Sequence, residues 1–502
     1  MSAPMIRFHN ATSVGLRDIP ELVPGDFLAQ VLDATDRGWR VSAYFGVPDA
    51  AAPRLYCLLA SKADGLLALT SCRPTGGVMA SIAAPCPQVS LFEREMAEQF
   101  GLTFEGHPWP KPVRFQSPLV SQGGGQPAPA EPGIMEYYRV EGEGVHEVAV
   151  GPVHAGIIEP GHFRFQCYGE QVLHLEISLG YQHRAIEQML IDGPHPRSRY
   201  QMETIAGDTT IGHAQAHAMI CEALSGTAVP ARAEALRGIA LELERLANHT
   251  GDLGAIAGDV GYLPTASFCG RIRGDFLNMS AELCGSRFGR GLIVPGGVAF
   301  DCDPGRADLL VSRLAAARRD LAGAVGLLWE TPSVMARLEG TGAVSEEAAR
   351  DLGLVGPASR ACGLNRDIRR DHPFGIYRVS QIPVVTAGTG DVHARTLLRW
   401  LEAERSLDFI EEQLRQLPLG PCRSCQGPLA AGRVAVALTE GWRGEVCHVA
   451  LTDGQGRFSR YKVVDPSFHN WQGLAMALRA QQISDFPLCN KSFNLSYCGF
   501  DL

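Results

Sequence analysis

The sequence predicts an α+β fold, in which a small N-terminal α/β domain is linked to a mainly helical domain that also contains a β-hairpin region. Three observations predict it: short β-like runs among helical ones near the N-terminus, a Gly-, Pro- and Ser-rich stretch after them, and long helical periodicities in the second half. We therefore expect domains at 1–116 and 146–502, with a flexible linker at 117–145.

The composition is that of a globular protein with a buried core. The chain has 502 residues, 45% of them hydrophobic, and its net charge of -9 argues against nucleic acid as the main partner. The N-terminus has no apolar core of signal-peptide length, and no apolar run approaches about 18 residues, so we expect neither export nor a membrane span. Any membrane contact is then expected to come through a partner.

The cysteines indicate a reducing compartment. There are 14, scattered singly apart from Cys422 and Cys425, in a chain whose size needs no disulfide scaffold. They are expected to be reduced, cytosolic thiols. The lone C-x-x-C pair is weak support for a metal site, because a closed zinc or cluster site needs about four ligands.

The small N-terminal domain is predicted from alternating short elements. Val41–Phe45 and Leu55–Leu59 are β-like, and the domain ends in a helical segment within Ser90–Phe115. Glu93 and Glu95 of that segment are expected on a solvated helix face. The stretch that follows, SPLVSQGGGQPAPAEPG, cannot bury a core and is expected to be a linker.

The second domain begins with strands and continues with long helices. Gly-Pro pairs and alternating apolar residues in Val150–Phe165 and Val172–Ile177 predict a β-hairpin region leading into a helix. A long amphipathic helix is predicted after Pro230, a good first-turn residue, because apolar residues then recur at three- and four-residue steps. Further helical runs at Arg306–Trp329 and Ala394–Leu417 are expected to pack with it as a bundle.

Polar side chains converge just before that long helix. Glu203, Asp208, His213 and His217 occur beside small residues, on what is predicted to be a loop entering a helix. Polar groups gathered in this way are typical of a buried site. The small neighbours are Ala206, Gly207, Thr209 and Thr210.

This stretch resembles the first nickel-binding motif of nickel-iron hydrogenase large subunits. The spacing E-x-x-A-G-x-T-x-x-x-H from Glu203 to His213 matches E-R-x-C-G-x-C-x-x-x-H of that family, with both cysteines missing. The same region, with V-P-x-R-A from Val229 and E-L-x-R-x-x-x-H from Glu242, also resembles the quinone-site subunit of respiratory complex I.

The N-terminal domain carries a second resemblance. The pattern E-R-E-x-x-x-x-F-G-x-x-F-x-G-H-P within Ser90–Phe115 is similar to the small peripheral-arm subunit of complex I, where this region serves docking. A small-subunit domain followed by a large-subunit domain is the order found in large subunits of formate-hydrogenlyase-type, membrane-bound hydrogenases. That resemblance covers nearly the whole chain.

The resemblance also implies where quinone ligands should be. Two motifs, G-P-x-H ending at His154 and G-Y-x-H-R containing His183 and Arg184, match the complex I subunit and set the register. In that register the two quinone-binding positions fall on Ile158 and Gly207, so neither ligand survives. His154, His183 and Arg184 are the candidate cofactor-binding residues, a quinone being possible, and Glu159 and His162 are further candidates from the hairpin.

The C-terminus bears on nickel. Asn494, Leu495, Ser496 and Gly499 occupy the positions at which hydrogenases have Asp, Pro, Cys and Cys. Nickel in that family is held by thiolates, which suit a soft metal. No nickel-iron centre and no other metal site is therefore expected in this chain.

An arginine-rich segment leaves two interpretations open. Arg360, Arg366, Arg369 and Arg370, with Asp367, could line an inner cavity or belong to a solvated or salt-bridged loop.

The resemblance implies an oxidoreductase subunit: the large peripheral-arm component of a hetero-oligomeric complex on the cytoplasmic side of a membrane. Its expected partners are a small subunit with an iron-sulfur cluster and membrane-embedded ion-translocating subunits, and any NADH site is expected in a partner. Glu203, His213, His249 and Asp259, the last matching an acid beside the quinone site, are the candidate catalytic residues, expected as buried proton-handling groups. The alternatives are a non-catalytic coupling subunit and a soluble binding protein with a decayed site.

Overall fold

A computed structural model describes residues 5–49, 52–119, 131–154 and 158–502. The α+β class is confirmed, with long helices and several small sheets in one chain. The strands are β1 Ile6–Phe8, β2 Thr12–Gly15, β3 Glu21–Leu22, β4 Arg40–Val47, β5 Arg54–Ser61, β6 Leu66–Cys72, β7 Val78–Ala80, β8 Thr103–Glu105, β9 Val145–Val150, β10 His162–Tyr168, β11 Gln171–Ser178, β12 Ile293–Val294, β13 Gly297–Val298, β14 Arg433–Gly441, β15 Gly444–Thr452 and β16 Phe458–Val464.

The helices include several of one to two turns beside the long ones. They are α1 Pro24–Asp36, α2 Ser90–Phe100, α3 Ile186–Met189, α4 Ser198–Met202, α5 Thr210–Ser225, α6 Ala231–Asp259, α7 Leu263–Cys284, α8 Pro304–Trp329, α9 Pro332–Leu338, α10 Glu346–Asp351, α11 Gly356–Ala361, α12 Ile368–Asp371, α13 Val392–Arg415, α14 Pro466–Ala477, α15 Phe486–Phe493 and α16 Tyr497–Asp501.

The N-terminal sheet has the strand order β1-β6-β5-β4, and β3 pairs in parallel with the end of β6. Its central strands β5 and β6 are leucine-rich, and they are buried along nearly their whole length between α1 and α2 and the rest of the chain. Both β-like runs of the N-terminal domain, Val41–Phe45 and Leu55–Leu59, lie within strands of this sheet, as predicted.

The prediction that Glu93 and Glu95 lie on a solvated helix face is wrong. Both side chains of α2 are fully buried. Glu93 accepts a hydrogen bond from the backbone N–H of Ile82 at 3.1 Å, and Glu95 accepts bonds from Nζ of Lys462 at 2.6 and 2.8 Å. Lys462 belongs to β16, so this helix face is covered by the C-terminal part of the chain.

The predicted hairpin region is an antiparallel sheet with the order β11-β10-β9. Strand β10 pairs with both neighbours, Phe163 opposite Val150 on one side and opposite Ile177 on the other. The connection between β9 and β10 closes with a bridge between His154 and Ile158. Residues 155–157 lie outside the described residues.

The long helix predicted after Pro230 is α6, and it is the central element of the bundle. Pro230 is its N-cap, and the leucines and isoleucine of the predicted apolar face are buried. Helices α7 and α13 pack along α6, and α8 packs on both of them. The predicted helical runs in the second half correspond to α8 and α13, so the bundle is formed as expected.

The C-terminal sheet joins the two ends of the chain. Its order is β16-β15-β14-β2, so a strand from the first 15 residues pairs with β14, Thr12 opposite Val436. Asn10 extends the contact, because its side-chain amide donates to the carbonyl of Leu438 at 2.9 Å and accepts from the N–H of Leu438 at 2.8 Å. The first strands of the chain therefore serve two different sheets.

The domain boundaries at 116 and 146 stay a prediction. Contacts across them are polar as well as apolar: Arg114 donates to the carbonyl of Phe500 at 2.8 Å, and Arg40 is paired with Glu445. Of the predicted linker, residues 120–130 lie outside the described residues, and the backbone N–H of Tyr138 is bonded to Glu176 at 2.7 Å. Among the helices that the structure describes, none is long and apolar enough to cross a bilayer.

Candidate functional site

The candidate site is the place where the loop entering α5 meets the C-terminal residues. Arg443, in the turn between β14 and β15, joins them: its guanidinium donates to the carbonyl of Gly207 at 3.0 Å and to Oγ1 of Thr209 at 3.2 Å, and it also donates to the carbonyl of Asn494. Arg443 is buried and stacks on the ring of Trp442 at 3.9 Å. We call this place the cradle: it comprises residues 203–209, residues 494–499, Arg443, and Asp465, whose carboxylate lies beside Gly499.

The side chains at the four thiolate positions do not fit a nickel-iron centre. Ala206 and Gly499 offer no ligating atom. The Thr209 hydroxyl accepts the bond from Arg443, and Oγ of Ser496 accepts one from the N–H of Gly499 at 2.9 Å. A guanidinium directed at one of these hydroxyls would also oppose a cation placed there.

A carboxylate fills the space beside Gly499. A Cβ on Gly499 would lie 2.7 to 2.9 Å from the carboxylate atoms of Asp465. Asp465 is the N-cap of α14: Oδ1 accepts from the N–H of Ser467 at 2.8 Å, while Oδ2 lies 3.0 Å from Nε2 of His213. Burial alone would raise the pKa of Asp465, but the bonds from His213 and Ser467 and the charge of Arg443 hold it below its usual value.

His213 starts a series of buried hydrogen bonds. Its Nδ1 lies 3.0 Å from Nε2 of His448, and Nδ1 of His448 lies 2.9 Å from the hydroxyl of Tyr461. The same hydroxyl lies 3.0 Å from Nδ1 of His217, whose Nε2 is 3.7 Å from Sγ of Cys221. Helix α5 supplies both histidines four residues apart, so they face the sheet strands β15 and β16 together.

Glu203 is buried at the other side of the cradle. Its Oε1 accepts a hydrogen bond from the N–H of Gly291 at 2.6 Å, in the loop before β12. Desolvation raises the pKa of Glu203, although the bond from Gly291 and the charges of Arg199 and Arg290 oppose that shift. It is a carboxyl group that can hold a proton nearer to neutral pH than an ordinary glutamate.

His249 belongs to a separate buried ionic network. Its Nε2 lies 2.9 Å from Glu402, which is paired with Arg360 at 2.7 Å. Burial lowers the pKa of His249 to about 4, although Glu402 opposes the shift. The network also contains Glu242, Arg245, Asp367, Arg369 and Glu440.

The arginine-rich segment is therefore a salt-bridged one for the most part. Arg360 and Arg369 are fully paired inside the network, and Arg370 pairs with Asp371 nearer the surface. Arg366 and Asp367 also line a small cavity of about 30 Å³, so the cavity interpretation holds for this pair.

Asp259 differs from its expectation. It is the last residue of α6 and is exposed, so the expectation that it is a buried acid is wrong. The helix ends where the chain reaches the surface, because the N–H of Gly261, at positive φ, turns back onto Gly258. Its proposed part in proton transfer stays a prediction.

The four catalytic candidates are thus not gathered around one point. Glu203 and His213 lie on opposite sides of the cradle, His249 in the ionic network and Asp259 at a helix end.

The cofactor-binding candidates are hydrogen-bonded to backbone carbonyls. Nε2 of His154 lies 3.0 Å from the carbonyl of Gly161, and Nδ1 of His183 lies 2.8 Å from that of Asp501. Arg184 donates to the carbonyls of Thr204, Ile205 and Cys498, so it ties the start of the cradle to its end. Ile158 and Gly207 occupy the two positions that match the quinone-binding residues of complex I. Neither has a side chain that can donate a hydrogen bond, so these positions do not fit a quinone headgroup.

Sequence reasoning missed Asp465, His448, Tyr461 and Arg443. These residues lie in the segment from β14 to the residue after β16, more than 200 positions from His213 in the chain. No local spacing in the sequence links them to His213. The one available signal was a histidine, His448, among the apolar residues Val446, Cys447, Val449 and Ala450 of β15. Within the described residues no group of three or more His, Cys, Asp or Glu side chains is arranged to hold a metal ion, and Cys422 and Cys425 are both free.

Comparison with known proteins defines the class. The family model described as "Respiratory-chain NADH dehydrogenase, 49 Kd subunit" matches residues 259–432 and 424–501, and the corresponding "30 Kd subunit" model matches residues 38–119. The chain belongs to the family of large subunits that hydrogenases share with the 49 Kd subunit of respiratory NADH dehydrogenase, with a 30 Kd-type domain fused in front.

Individual relatives come from both branches. The chain is 31% identical to the carbon monoxide-induced hydrogenase of Rhodospirillum rubrum over 70% of its own length and 97% of the relative. It is 30% identical to formate hydrogenlyase subunit 5 of Escherichia coli over 83% and 76% of the two chains. It is 29% identical to NADH-quinone oxidoreductase subunit 4 of Thermus thermophilus over 72% and 94%.

Proposed function

We propose that this chain is the large peripheral-arm subunit of a membrane-bound, ion-translocating oxidoreductase complex, and that its cradle handles protons without nickel. The observation that carries the proposal is the Asp465 carboxylate, which takes the space of a lost thiolate side chain and is bonded to a buried histidine. A cradle that had only decayed would be expected to fill with apolar side chains, because a buried unpaired charge costs several kcal/mol.

The charges of the cradle support this proposal. Arg443 and Asp465 are buried with opposite charge, His213 is hydrogen-bonded to Asp465, and the pKa of Glu203 is raised by desolvation. Such a set can compensate a charge that arrives nearby, which is what electron transfer requires of a protein interior.

The partners are part of the proposal. An iron-sulfur cluster in a small neighbouring subunit would deliver electrons, membrane-embedded subunits would move ions, and NADH would be oxidised by another partner. The chain would then be a peripheral member on the cytoplasmic side of the membrane. The relatives support a multi-subunit setting, since two of them are named as subunits of formate hydrogenlyase and of NADH-quinone oxidoreductase.

A non-catalytic coupling subunit is the second candidate. It is favoured by the direct closure of the cradle: Arg443 bridges Thr209 and Asn494, and the indole of Trp442 donates to the carbonyl of Asp208 at 2.8 Å. Such contacts could transmit movement between partners without any chemistry.

Variants of the assembled complex test the proposal. Glu203→Gln and Asp465→Asn should leave assembly intact but lower electron transfer at least tenfold, a barrier increase of about 1.4 kcal/mol. Asp408→Asn, at an exposed residue of α13 paired with Arg318, is the matched control and should retain full turnover. Elemental analysis of the same complex should find no stoichiometric nickel.

Full turnover in both cradle variants would contradict the catalytic proposal and leave the coupling role. One nickel per chain would contradict the nickel-free cradle.

A further inference from the structure

The buried hydrogen bonds that start at Asp465 form an unbroken series across α5, β15 and β16. From Asp465 the order is His213, His448, Tyr461 and His217, with heavy-atom separations of 3.0, 3.0, 2.9 and 3.0 Å. All five side chains are at most 5% exposed. Side chains so deeply buried and so regularly linked are not explained by packing alone.

Each link joins groups that can both give and take a proton. If Asp465 is ionised and His213 is neutral, Nε2 of His213 carries the hydrogen and Nδ1 accepts. His448 must then carry its hydrogen on Nε2, which donates to Nδ1 of His213. Nδ1 of His448 accepts from the O–H of Tyr461, and the Tyr461 oxygen accepts from Nδ1–H of His217. Every donor points toward Asp465.

We propose that His217, Tyr461, His448 and His213 are a proton relay that ends at Asp465 in the cradle. A proton that reaches Nε2 of His217, the nitrogen beside Sγ of Cys221, releases the Nδ1 proton to the Tyr461 oxygen, and Tyr461 passes its own proton to Nδ1 of His448. His448 gives its Nε2 proton to Nδ1 of His213. The Nε2–H bond formed at His217 replaces its Nδ1–H bond, the Nδ1–H bond formed at His448 replaces its Nε2–H bond, and Tyr461 exchanges one O–H hydrogen for another. His213 alone has a net gain of one N–H bond, so one positive charge has moved beside Asp465 without any redox change.

The surroundings of the relay favour a proton at its Asp465 end. Burial lowers the pKa of His217 to about 4 and that of His448 well below its usual value, so neither holds the charge at rest. His213 is the imidazole in contact with a carboxylate. The other titratable or charged groups facing the relay include Cys221 on α5, Glu244 on α6, Arg443 in the β14–β15 turn, Cys447 on β15 and His469 on α14.

Ring nitrogen shifts of the full-length chain test the relay. The 15 histidines can be labelled with ¹⁵N, and His213, His217 and His448 assigned by His→Gln substitution. As the pH falls from 9 to 5, His217 should change from the Nδ1–H to the Nε2–H form and His448 from Nε2–H to Nδ1–H. Both changes should share one midpoint.

Removing the Tyr461 hydroxyl tests whether His217 and His448 change tautomer together because they are linked through it. Tyr461→Phe removes the one atom that joins His217 to His448, so His217 should lose its Nδ1 acceptor and no longer change with His448. Tyr44→Phe is the matched control, because Tyr44 is equally buried but lies in the N-terminal sheet with its hydroxyl on Sδ of Met79. In this control the shared midpoint should be retained.

The relay is contradicted if the tautomers of His217 and His448 do not change over this pH range, change at different pH values, or still change together in Tyr461→Phe. The existence of the relay does not depend on the proposed function, but its role in turnover does. If the relay serves turnover, Tyr461→Phe should slow the complex at least tenfold. The nitrogen shifts are read on the chain alone. A coupled titration with unchanged turnover would therefore keep the relay and contradict the catalytic role.

Discussion

Gly499 lacks a side chain at a position where one would collide with Asp465. A Cβ there would approach the carboxylate to 2.7 Å, and that carboxylate is fixed by Ser467 and His213. A cysteine could not return to this position unless Asp465 moved. A thiolate side chain at position 499 and the Asp465 carboxylate in its present place therefore exclude each other.

This close contact gives a prediction for stability. Gly499→Ala should lower the unfolding free energy by about 1–3 kcal/mol, because it overpacks a helix that has no room for a methyl group. Gly323→Ala on α8, where nothing lies within 4 Å, should instead be neutral or stabilising by up to about 1 kcal/mol. Chemical unfolding monitored by fluorescence measures both.

The steric cause is checked in a second background. With Asp465→Ala already present, Gly499→Ala should cost clearly less than in the wild type. Equal costs in the two backgrounds would show that Asp465 is not what the methyl group meets.

For single residues, the sequence pointed to Glu203 and His213 but not to the side chains that contact His213. Glu203 and His213 were identified because a local spacing places them on a loop entering a helix. Asp465 and His448 were not, since their relation to His213 exists only after three strands have paired. Asp259 was expected to be buried because it matches an acid beside the quinone site of complex I, and that match does not reveal where the helix leaves the core.

At the scale of the secondary-structure elements, the contact between α6 and α5 depends on a carboxyl group. Glu244 of α6 accepts hydrogen bonds from the N–H groups of Ile211 and Gly212 in the first turn of α5, at 2.6 and 3.3 Å. Burial raises the pKa of Glu244 to about 8, although those two bonds oppose the shift. The carboxyl group of an unfolded glutamate loses its proton near about pH 4.3.

Glu244 should therefore make stability depend on pH. Between about pH 4 and 8 the folded chain binds a proton that the unfolded chain has released, so stability falls as the pH rises through this range. Glu244→Gln keeps an acceptor oxygen and cannot ionise, so its Tm relative to wild type should rise from pH 5 to pH 9.

The control is Glu346→Gln, at an exposed glutamate of α10. Its Tm difference from wild type should be the same at both pH values. A constant difference for Glu244→Gln would contradict the buried, protonated state of that side chain.

The elements themselves were predicted where their pattern is periodic. Helices α6, α8 and α13 were expected because apolar residues recur at helical steps over more than 20 residues. The burial of α2 on its charged face was not, since its cover comes from Lys462 and Arg114, and side chains so distant in sequence leave no local trace.

Across the whole molecule, the N-terminal segment is held by a buried amide. Asn10 is 4% exposed and bonds to the carbonyl of His372 at 2.8 Å as well as to both backbone groups of Leu438. The fused order of the two domains was predicted from the sequence, but the pairing of the second strand, β2, with the last sheet was not. Short strands such as β2 have too few residues to show an alternation.

Removing this amide should loosen the N-terminal strand. Asn10→Ala leaves three buried backbone groups without their partner, so we expect a loss of about 1–3 kcal/mol in unfolding free energy. Hydrogen exchange should then increase at residues 11–16 ahead of the rest of the chain. Asn278→Ala, at an exposed residue of α7, is the control, and equal exchange in both variants would contradict the clamp.

The pairing of β2 with β14 also has a consequence for how the protein is made. Thr12 leaves the ribosome about 400 residues before its partner Val436, which at typical synthesis rates is a delay on the order of 20–80 s. During that time β2 has no strand to pair with, although β1 and β6 beside it can already form their own sheet. The N-terminal domain therefore emerges from the ribosome with β2 unpaired, and β14, near the end of the same chain, later pairs with it. A gene split at residue 116 would have to form that pairing by strand addition between two polypeptides.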